Sequence, residues 1–167
     1  LAEVHDSAQK INGFARAALA SCIDVVSWLA PQDEVMVPPV DGVRECLGLI
    51  TTSLTFRGYA VRNEVTPVRG EVRRAAMRNV LTGALIHVTD QNAAPADLVV
   101  TADAQGSDLV LTLTLRPTDG DQGFAPEAPY RPLSTGDVDA LAAAESVKLT
   151  RTGTQVLRLA FPLVSGA

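Results

Sequence analysis

The residues best suited to chemistry lie near the beginning of the chain, where His5 is followed directly by Asp6 and, one helical turn later, by Gln9. A neutral imidazole on an exposed helix face can attack a phosphoryl group, and an adjacent carboxylate favours the reactive tautomer. Gln9 could position a water molecule for dephosphorylating a partner. The alternative is an ordinary surface histidine, and the sequence leaves both interpretations of His5 open.

A second set of polar residues follows in the rest of the chain. Asn79, Asp119 and Asp121 carry side-chain oxygens, which are the atoms that hard cations and ligand amino groups contact. Gly83 lies one helical turn after Asn79 and has no side-chain oxygen, so it cannot hold a cation. No zinc-type spacing, phosphate-binding P-loop or nucleophile elbow is present.

One long helix, over residues 2–30, is predicted to carry His5. Its apolar residues recur alternately four and three positions apart, a pattern typical of helices packed along a bundle or coiled coil. Phe14, Leu19 and Val26 widen this stripe, which suits a four-helix bundle. We expect another helix, from this chain or a second copy, to cover the stripe. The seam consists of Val4, Ala8, Ile11, Ala15, Ala18, Cys22, Val25 and Leu29.

Pro31 ends the predicted helix, because proline cannot continue it. We therefore predict a dimerisation-type helix at 1–31, a proline-containing linker at 32–39 and a domain at 40–167. That domain mixes helical and strand patterns, which predicts an α+β fold. The predicted helices span 40–54, 71–88 and 137–147, the strands span 59–65, 98–102, 109–115, 148–151 and 155–163, and 116–135 is a long loop.

Composition narrows the possible partners. The net charge of the 167 residues is −5 and no basic stretch exceeds Arg73-Arg74, which argues against nucleic acid. No apolar run approaches the ~18 residues needed to span a bilayer, and no signal-peptide pattern is present, so we expect a cytoplasmic protein without membrane contact from this segment. Cys22 and Cys46 are expected to be small buried hydrophobic residues.

Three stretches of the second domain resemble the ATP-binding domain of sensor histidine kinases, a branch of the GHKL ATPases. Residues 78–89 are similar to the helix that carries the metal-binding asparagine, 130–136 to the segment after the ATP lid, and 155–163 to the final strand. The order of predicted elements over 40–164 also matches the family. The resemblance implies an α/β sandwich with a mixed, mainly antiparallel sheet and helices on one face, here preceded by the long N-terminal helix.

The resemblance further implies that ATP binding has been lost. Gly83 stands where the family has the asparagine that orients Mg²⁺, and the glycine-containing turn 119–123 comes late after its strand. Gly136 is the only glycine left in the phosphate-binding stretch, where Asp137 and Asp139 would repel phosphate. We therefore expect no cofactor and no metal site.

An active enzyme is the alternative. In a divergent but active histidine kinase or ATPase, Asn79 would take over Mg²⁺ and Asp119 or Asp121 would contact the adenine of ATP. His87 belongs to the same helix and is interpreted as a helix-end residue, because an imidazole is favourable near a helix C-terminus.

Residues 4–14 resemble the phosphoacceptor box of histidine kinases, which would make His5 the acceptor, Asp6 its acidic neighbour and Gln9 the polar residue that follows. The resemblance implies a two-component signalling protein that forms a homodimer through its N-terminal helix and docks a response-regulator receiver domain. A histidine phosphotransferase or a pseudokinase scaffold is favoured over an active kinase. A third possibility is a binding module that reuses the sandwich with its nucleotide cleft filled.

Overall fold

A computed structural model describes residues 9–16, 19, 22, 23, 26, 34–124 and 131–164 of the chain. The contacts divide the chain into two compact units, Leu1–Gln32 and Asp33–Ala167. Among the described residues, no helix combines the length and apolar character that crossing a membrane requires.

The described residues of the first unit are helical, and all of them are exposed. Gln9 is among them, whereas His5 and Asp6 lie outside the described residues, as do parts of the predicted long helix. Phe14 has 75% of its surface exposed. Cys22 is also exposed, so the expectation that it is buried is wrong, because its helix buries none of its described side chains.

The second unit contains the predicted helices and strands, with shifted ends. Its helices are α1 (Pro39–Phe56), α2 (Arg74–Ala76), a π-helical turn (Met77–Leu81), α3 (Thr82–Asp90) and α4 (Thr135–Ala144). Its strands are β1 (Met36–Val37), β2 (Tyr59–Asn63), β3 (Val72–Arg73), β4 (Ala96–Gln105), β5 (Asp108–Pro117), β6 (Lys148–Thr152) and β7 (Val156–Pro162).

A five-stranded sheet in the order β2-β4-β5-β7-β6 forms the centre of the unit. Within this sheet β2 and β4 are parallel and the other neighbours are antiparallel, which confirms the mixed, mainly antiparallel sheet. Alternate residues of the central strands are apolar and buried, as expected for a sheet covered by helices on one face. Cross-strand pairs on this face include Leu98 with Leu115, Leu111 with Leu159, and Leu109 with Phe161.

The first strand lies in the predicted linker. Met36 and Val37 pair with β3 in an antiparallel register, and the buried side chains of Val37 and Val72 face each other across this pair. Pro38 and Pro39 then begin α1, where a missing N–H costs no hydrogen bond. The helix predicted to start at residue 71 begins at Arg74 instead, because Val72 and Arg73 are used for this strand pairing.

The helix that follows changes its winding over Met77–Leu81, where the hydrogen bonds take the wider π spacing. On this stretch Arg78 is almost completely buried and, with Arg74, pairs with Glu45 of α1. These guanidinium groups, Arg74 foremost, hold the pKa of Glu45 below its usual range. The ion pairs therefore attach α1 to the beginning of the helix that carries the candidate site.

Candidate functional site

Gly83 lies in the first turn of α3 and is buried. A Cβ atom at this position would lie 2.9 Å from Cδ1 of Leu141 in α4 and 3.9 Å from Cδ1 of Leu133. The missing side chain of Gly83 is thus the space into which Leu141 packs. At the position that the sequence singles out for a cation, the chain presents aliphatic carbon and no oxygen.

Asn79 lies on the π-helical turn and faces the other end of α4. Its amide nitrogen donates a hydrogen bond of 2.7 Å to Oε1 of Glu145. The second oxygen of Glu145 accepts a hydrogen bond of 2.6 Å from Arg73. The candidate metal residue is therefore part of a structural network, and the described residues contain no group of three or more His, Cys, Asp and Glu side chains arranged to hold a metal.

Asp119 and Asp121 lie on the loop that leaves β5, and both are exposed. The loop is fastened at both ends by backbone hydrogen bonds, from Thr118 to Pro95 (3.0 Å) and from Phe124 to Phe56 (2.7 Å). It therefore runs over the turn between α1 and β2. The structure does not bring these carboxylates into contact with Asn79.

Two glycines allow this loop to lie close to the α1–β2 turn. A Cβ atom on Gly58 would come within 2.7 Å of the carbonyl oxygen of Gln122, and one on Gly123 would come within 2.3 Å of the amide nitrogen of Gly58. Both glycines also have left-handed φ angles of +88° and +66°. This backbone contact thus explains why residue 123, the second glycine of the 119–123 turn, is a glycine.

The two carboxylates expected to face phosphate have other partners. Asp137 forms a capping box with Ser134 at the beginning of α4, and it also pairs with Arg131. The Arg131 guanidinium and the Ser134 hydroxyl lower the pKa of Asp137 to about 2. Asp139 pairs with Arg151 at 2.7 Å. Helix capping and ion pairing therefore account for both carboxylates.

His87 is buried in the last turn of α3. Its Nδ1 lies 2.8 Å from the backbone oxygen of Leu133, so Nδ1 carries the proton and donates it to this carbonyl. The sequence predicts a helix-end residue here, and the position of His87 agrees. Its hydrogen bond is tertiary, however, and links α3 to the segment that leads into α4.

A small cavity remains beside this segment. Its volume is about 90 Å³, and it lies between the end of α3, the beginning of α4 and the β6–β7 hairpin. His87, Thr135, Arg151 and Thr154 line it. Pockets for drug-sized ligands have volumes of roughly 300–1,000 Å³, so this cavity is too small for a nucleotide.

Several residues that define this region cannot be identified from the sequence pattern. Leu141 and Glu145 give no signal, because only the packing of α4 brings them to Gly83 and Asn79. Ser134 and Asp137 do carry a signal, since a serine followed three residues later by an acidic residue is typical of a helix N-terminus. This spacing is therefore a sequence signal for the observed start of α4 at Thr135.

Neither a protein-family model nor a curated protein matches the chain. Solved structures of histidine kinases do match. The catalytic domain of the histidine kinase ThkA, in a nucleotide-free form, is 11% identical and superposes with a TM-score of 0.57, over 79% of this chain and 98% of that one. The histidine kinase AdeS of Acinetobacter baumannii is 14% identical, with a TM-score of 0.56, over 92% of this chain and 79% of that one.

The mycobacterial sensor histidine kinase MprB gives the same picture. It is 12% identical, with a TM-score of 0.55, over 79% of this chain and 99% of that one. At these identities the similarity is one of fold. The chain has the α+β fold of histidine kinase catalytic domains, as the sequence predicts.

Proposed function

We propose that this chain, with its histidine kinase catalytic fold, is a two-component signalling protein that no longer binds ATP. In this proposal it acts on response-regulator receiver domains, either as a histidine phosphotransferase or as a scaffold. The observation that carries the proposal is the contact between Gly83 and Leu141, because it replaces a cation ligand with aliphatic packing.

Two further observations support the loss of ATP binding. The amide of Asn79 is engaged with Glu145, so a replacement metal ligand would have to give up a hydrogen bond. The N–H of Asp137 at the start of α4 is satisfied by the Ser134 hydroxyl, which withdraws a donor from any phosphate.

The phosphotransfer part of the proposal rests on the sequence. His5 and Asp6 lie outside the described residues, and Gln9 is exposed on a helix, as a residue beside a phosphoacceptor should be. The same helix exposes Ile11, Phe14, Leu19, Ile23 and Val26. Exposed apolar side chains of this size favour burial by another copy of the chain, in keeping with a homodimer. We place such a protein in the cytoplasm, where receiver domains are found.

The first test is a calorimetric titration with Mg²⁺ and a non-hydrolysable ATP analogue. We expect no binding heat at millimolar ligand, for the parent chain and for Asp119→Asn alike. Micromolar binding that Asn79→Ala or Asp119→Asn abolishes would refute the proposal. It would favour the alternative, a divergent but active kinase or ATPase that uses Asn79 with Asp119 or Asp121.

A second test separates relay from scaffold. A phosphorylated receiver domain is mixed with the parent chain and with His5→Ala, and the phosphoryl group is followed on both proteins. Transfer to the parent but not to His5→Ala supports the phosphotransferase. Receiver binding without transfer to either chain supports the scaffold, and the absence of both transfer and binding contradicts the proposed partner.

A further inference from the structure

A second cavity lies at the opposite end of α4 from its capping box. Its volume is about 380 Å³, which falls within the roughly 300–1,000 Å³ of typical ligand pockets. It opens to solvent and is lined by the end of α4, strands β1 and β3, α2 and the end of β7. Gly83 does not contribute to its lining.

Most of the cavity wall is apolar. Met36 and Val164 contribute exposed carbon surface, and the buried side chains of Ala76 and Phe161 lie beneath it. An apolar cavity of this size favours a ligand with a hydrocarbon or aromatic body, because burial removes apolar surface from water.

The polar side of the cavity contains Arg73, which uses only some of its hydrogen-bond donors. Arg73 lines it and uses one nitrogen, Nη2, for both the carboxylate and the backbone oxygen of Glu145. Within residues 34–124 and 131–164, the Nε and Nη1 groups of Arg73 have no hydrogen-bond partner. Both carboxylate oxygens of Glu145 already accept hydrogen bonds, from Asn79 and from Arg73. The wall therefore offers the hydrogen-bond donors of Arg73, while the carboxylate of Glu145 beside them already accepts hydrogen bonds.

The ion pair between Arg73 and Glu145 determines which ligand charge the cavity favours. The carboxylate of Glu145 lies 2.6 Å from the guanidinium of Arg73 and neutralises it, so an anion would gain little attraction and would face that carboxylate. We propose that this cavity binds a small neutral molecule with an apolar body and a carbonyl-type hydrogen-bond acceptor directed at Arg73. The proposal is independent of whether the chain binds ATP.

The test is an NMR titration of the ¹⁵N-labelled chain with three probes of similar size: acetophenone, ethylbenzene and phenylacetate. We expect saturable shifts at the amides of Met36, Ala76 and Glu145, with acetophenone binding most tightly. Ethylbenzene lacks the acceptor and phenylacetate carries a negative charge, so both should bind more weakly. The absence of saturable shifts at these amides for all probes, or tightest binding of phenylacetate, overturns the proposal.

Two neighbouring alanines of α4 provide a matched pair of variants. Both are exposed, but Ala144 lines the cavity and Ala143 does not. Ala144→Leu should fill the cavity mouth and weaken acetophenone binding by about tenfold or more, whereas Ala143→Leu should leave it unchanged. Equal weakening in both variants contradicts the assigned site.

The role of Arg73 is tested with Arg73→Lys, which keeps the charge and removes the planar set of donors. We expect weaker binding of acetophenone and unchanged binding of ethylbenzene. An equal effect on both probes would show that Arg73 only maintains the cavity wall, and it would overturn the assignment of an acceptor.

Discussion

The absence of a side chain at Gly83 determines how two helices pack at the candidate site. In an α-helix glycine is less favourable than alanine, so Gly83 by itself weakens α3. The position of Leu141 offsets this, because the leucine occupies the volume that a larger residue would take. The absence of a side chain at Gly83 therefore allows α4 to contact α3 at this point.

Gly48 provides a control for this contact, since it lies in α1 and a Cβ atom added there would have no neighbour within 4 Å. Gly48→Ala should raise the free energy of unfolding by about 0.5–1 kcal/mol. Gly83→Ala should have a free energy of unfolding about 1 kcal/mol lower than Gly48→Ala, because Leu141 must move away from the added Cβ atom. Urea unfolding of both variants measures the difference, and equal gains would show that Leu141 does not pack on Gly83.

The two cysteines should differ in reactivity. Cys22 is exposed, whereas Cys46 is fully buried in α1 and its burial raises the pKa of its thiol to about 12. With a disulfide reagent near pH 8 we expect rapid reaction of Cys22 alone, and reaction of both thiols in denaturant. Rapid modification of Cys46 in the folded chain would contradict its placement.

At the scale of elements, α4 owes its position to the residues at its ends. The Ser134–Asp137 capping box begins the helix, and Ser146, in the left-handed region at φ 58°, ends it. The amide of Val147 then donates to the carbonyl of Ala142, a common helix ending. Because both ends are fixed, Leu141 is held against Gly83 of α3 and Glu145 against Asn79 of the π-helical turn.

The capping box predicts a pH dependence. The folded-state pKa of Asp137 is lowered from 3.8 to about 2, so its ionised form stabilises the fold above about pH 4. This contribution is lost as the pH falls through about 2. In thermal unfolding, Asp137→Asn should be less stable than the parent at neutral pH, and the gap should close between these two values. A gap that stays constant with pH would exclude the carboxylate as its cause.

The loop after β5 allows a test at the same scale. Gly123 and Gly153 share nearly the same left-handed φ, +66° and +63°, but only Gly123 contacts another backbone segment. Gly123→Ala should therefore destabilise the chain more than Gly153→Ala, by about 1–3 kcal/mol, in urea unfolding. Similar losses would indicate that the loop does not rest on Gly58.

At the scale of the whole molecule, periodic patterns allow the fold to be predicted. The alternation over 109–115 and 155–163 identifies the central strands, since a half-buried strand must alternate. Patterns fail where an element is too short to have a period. Met36–Val37 is a strand only because Val72 lies opposite it. The site is harder still to predict, because Leu141 reaches Gly83 only through tertiary packing.

The proposed homodimer leads to a prediction about the molecular mass in solution. If the exposed apolar stripe of the N-terminal helix is a dimer interface, light scattering should give twice the 17.6 kDa of one chain. Phe14→Asp should shift the mass towards that of the monomer, whereas Asn12→Asp, at another exposed position of the same helix, should not. A parent chain that is monomeric at every concentration would contradict the proposed homodimer.

The π-helical turn at Met77–Leu81 determines which residues of α3 face α4. A π turn holds about one residue more than an α turn, and each residue rotates the helix by about 100°. Rewinding this turn to α geometry at constant chain length should therefore rotate all of α3 by roughly that angle, whereas rewinding it with the deletion of one residue should leave the faces of α3 nearly unchanged. At constant length Gly83 would point away from Leu141, and a bulkier neighbour would meet α4. The packing of Leu141 against Gly83 therefore depends on the π-helical winding one turn earlier.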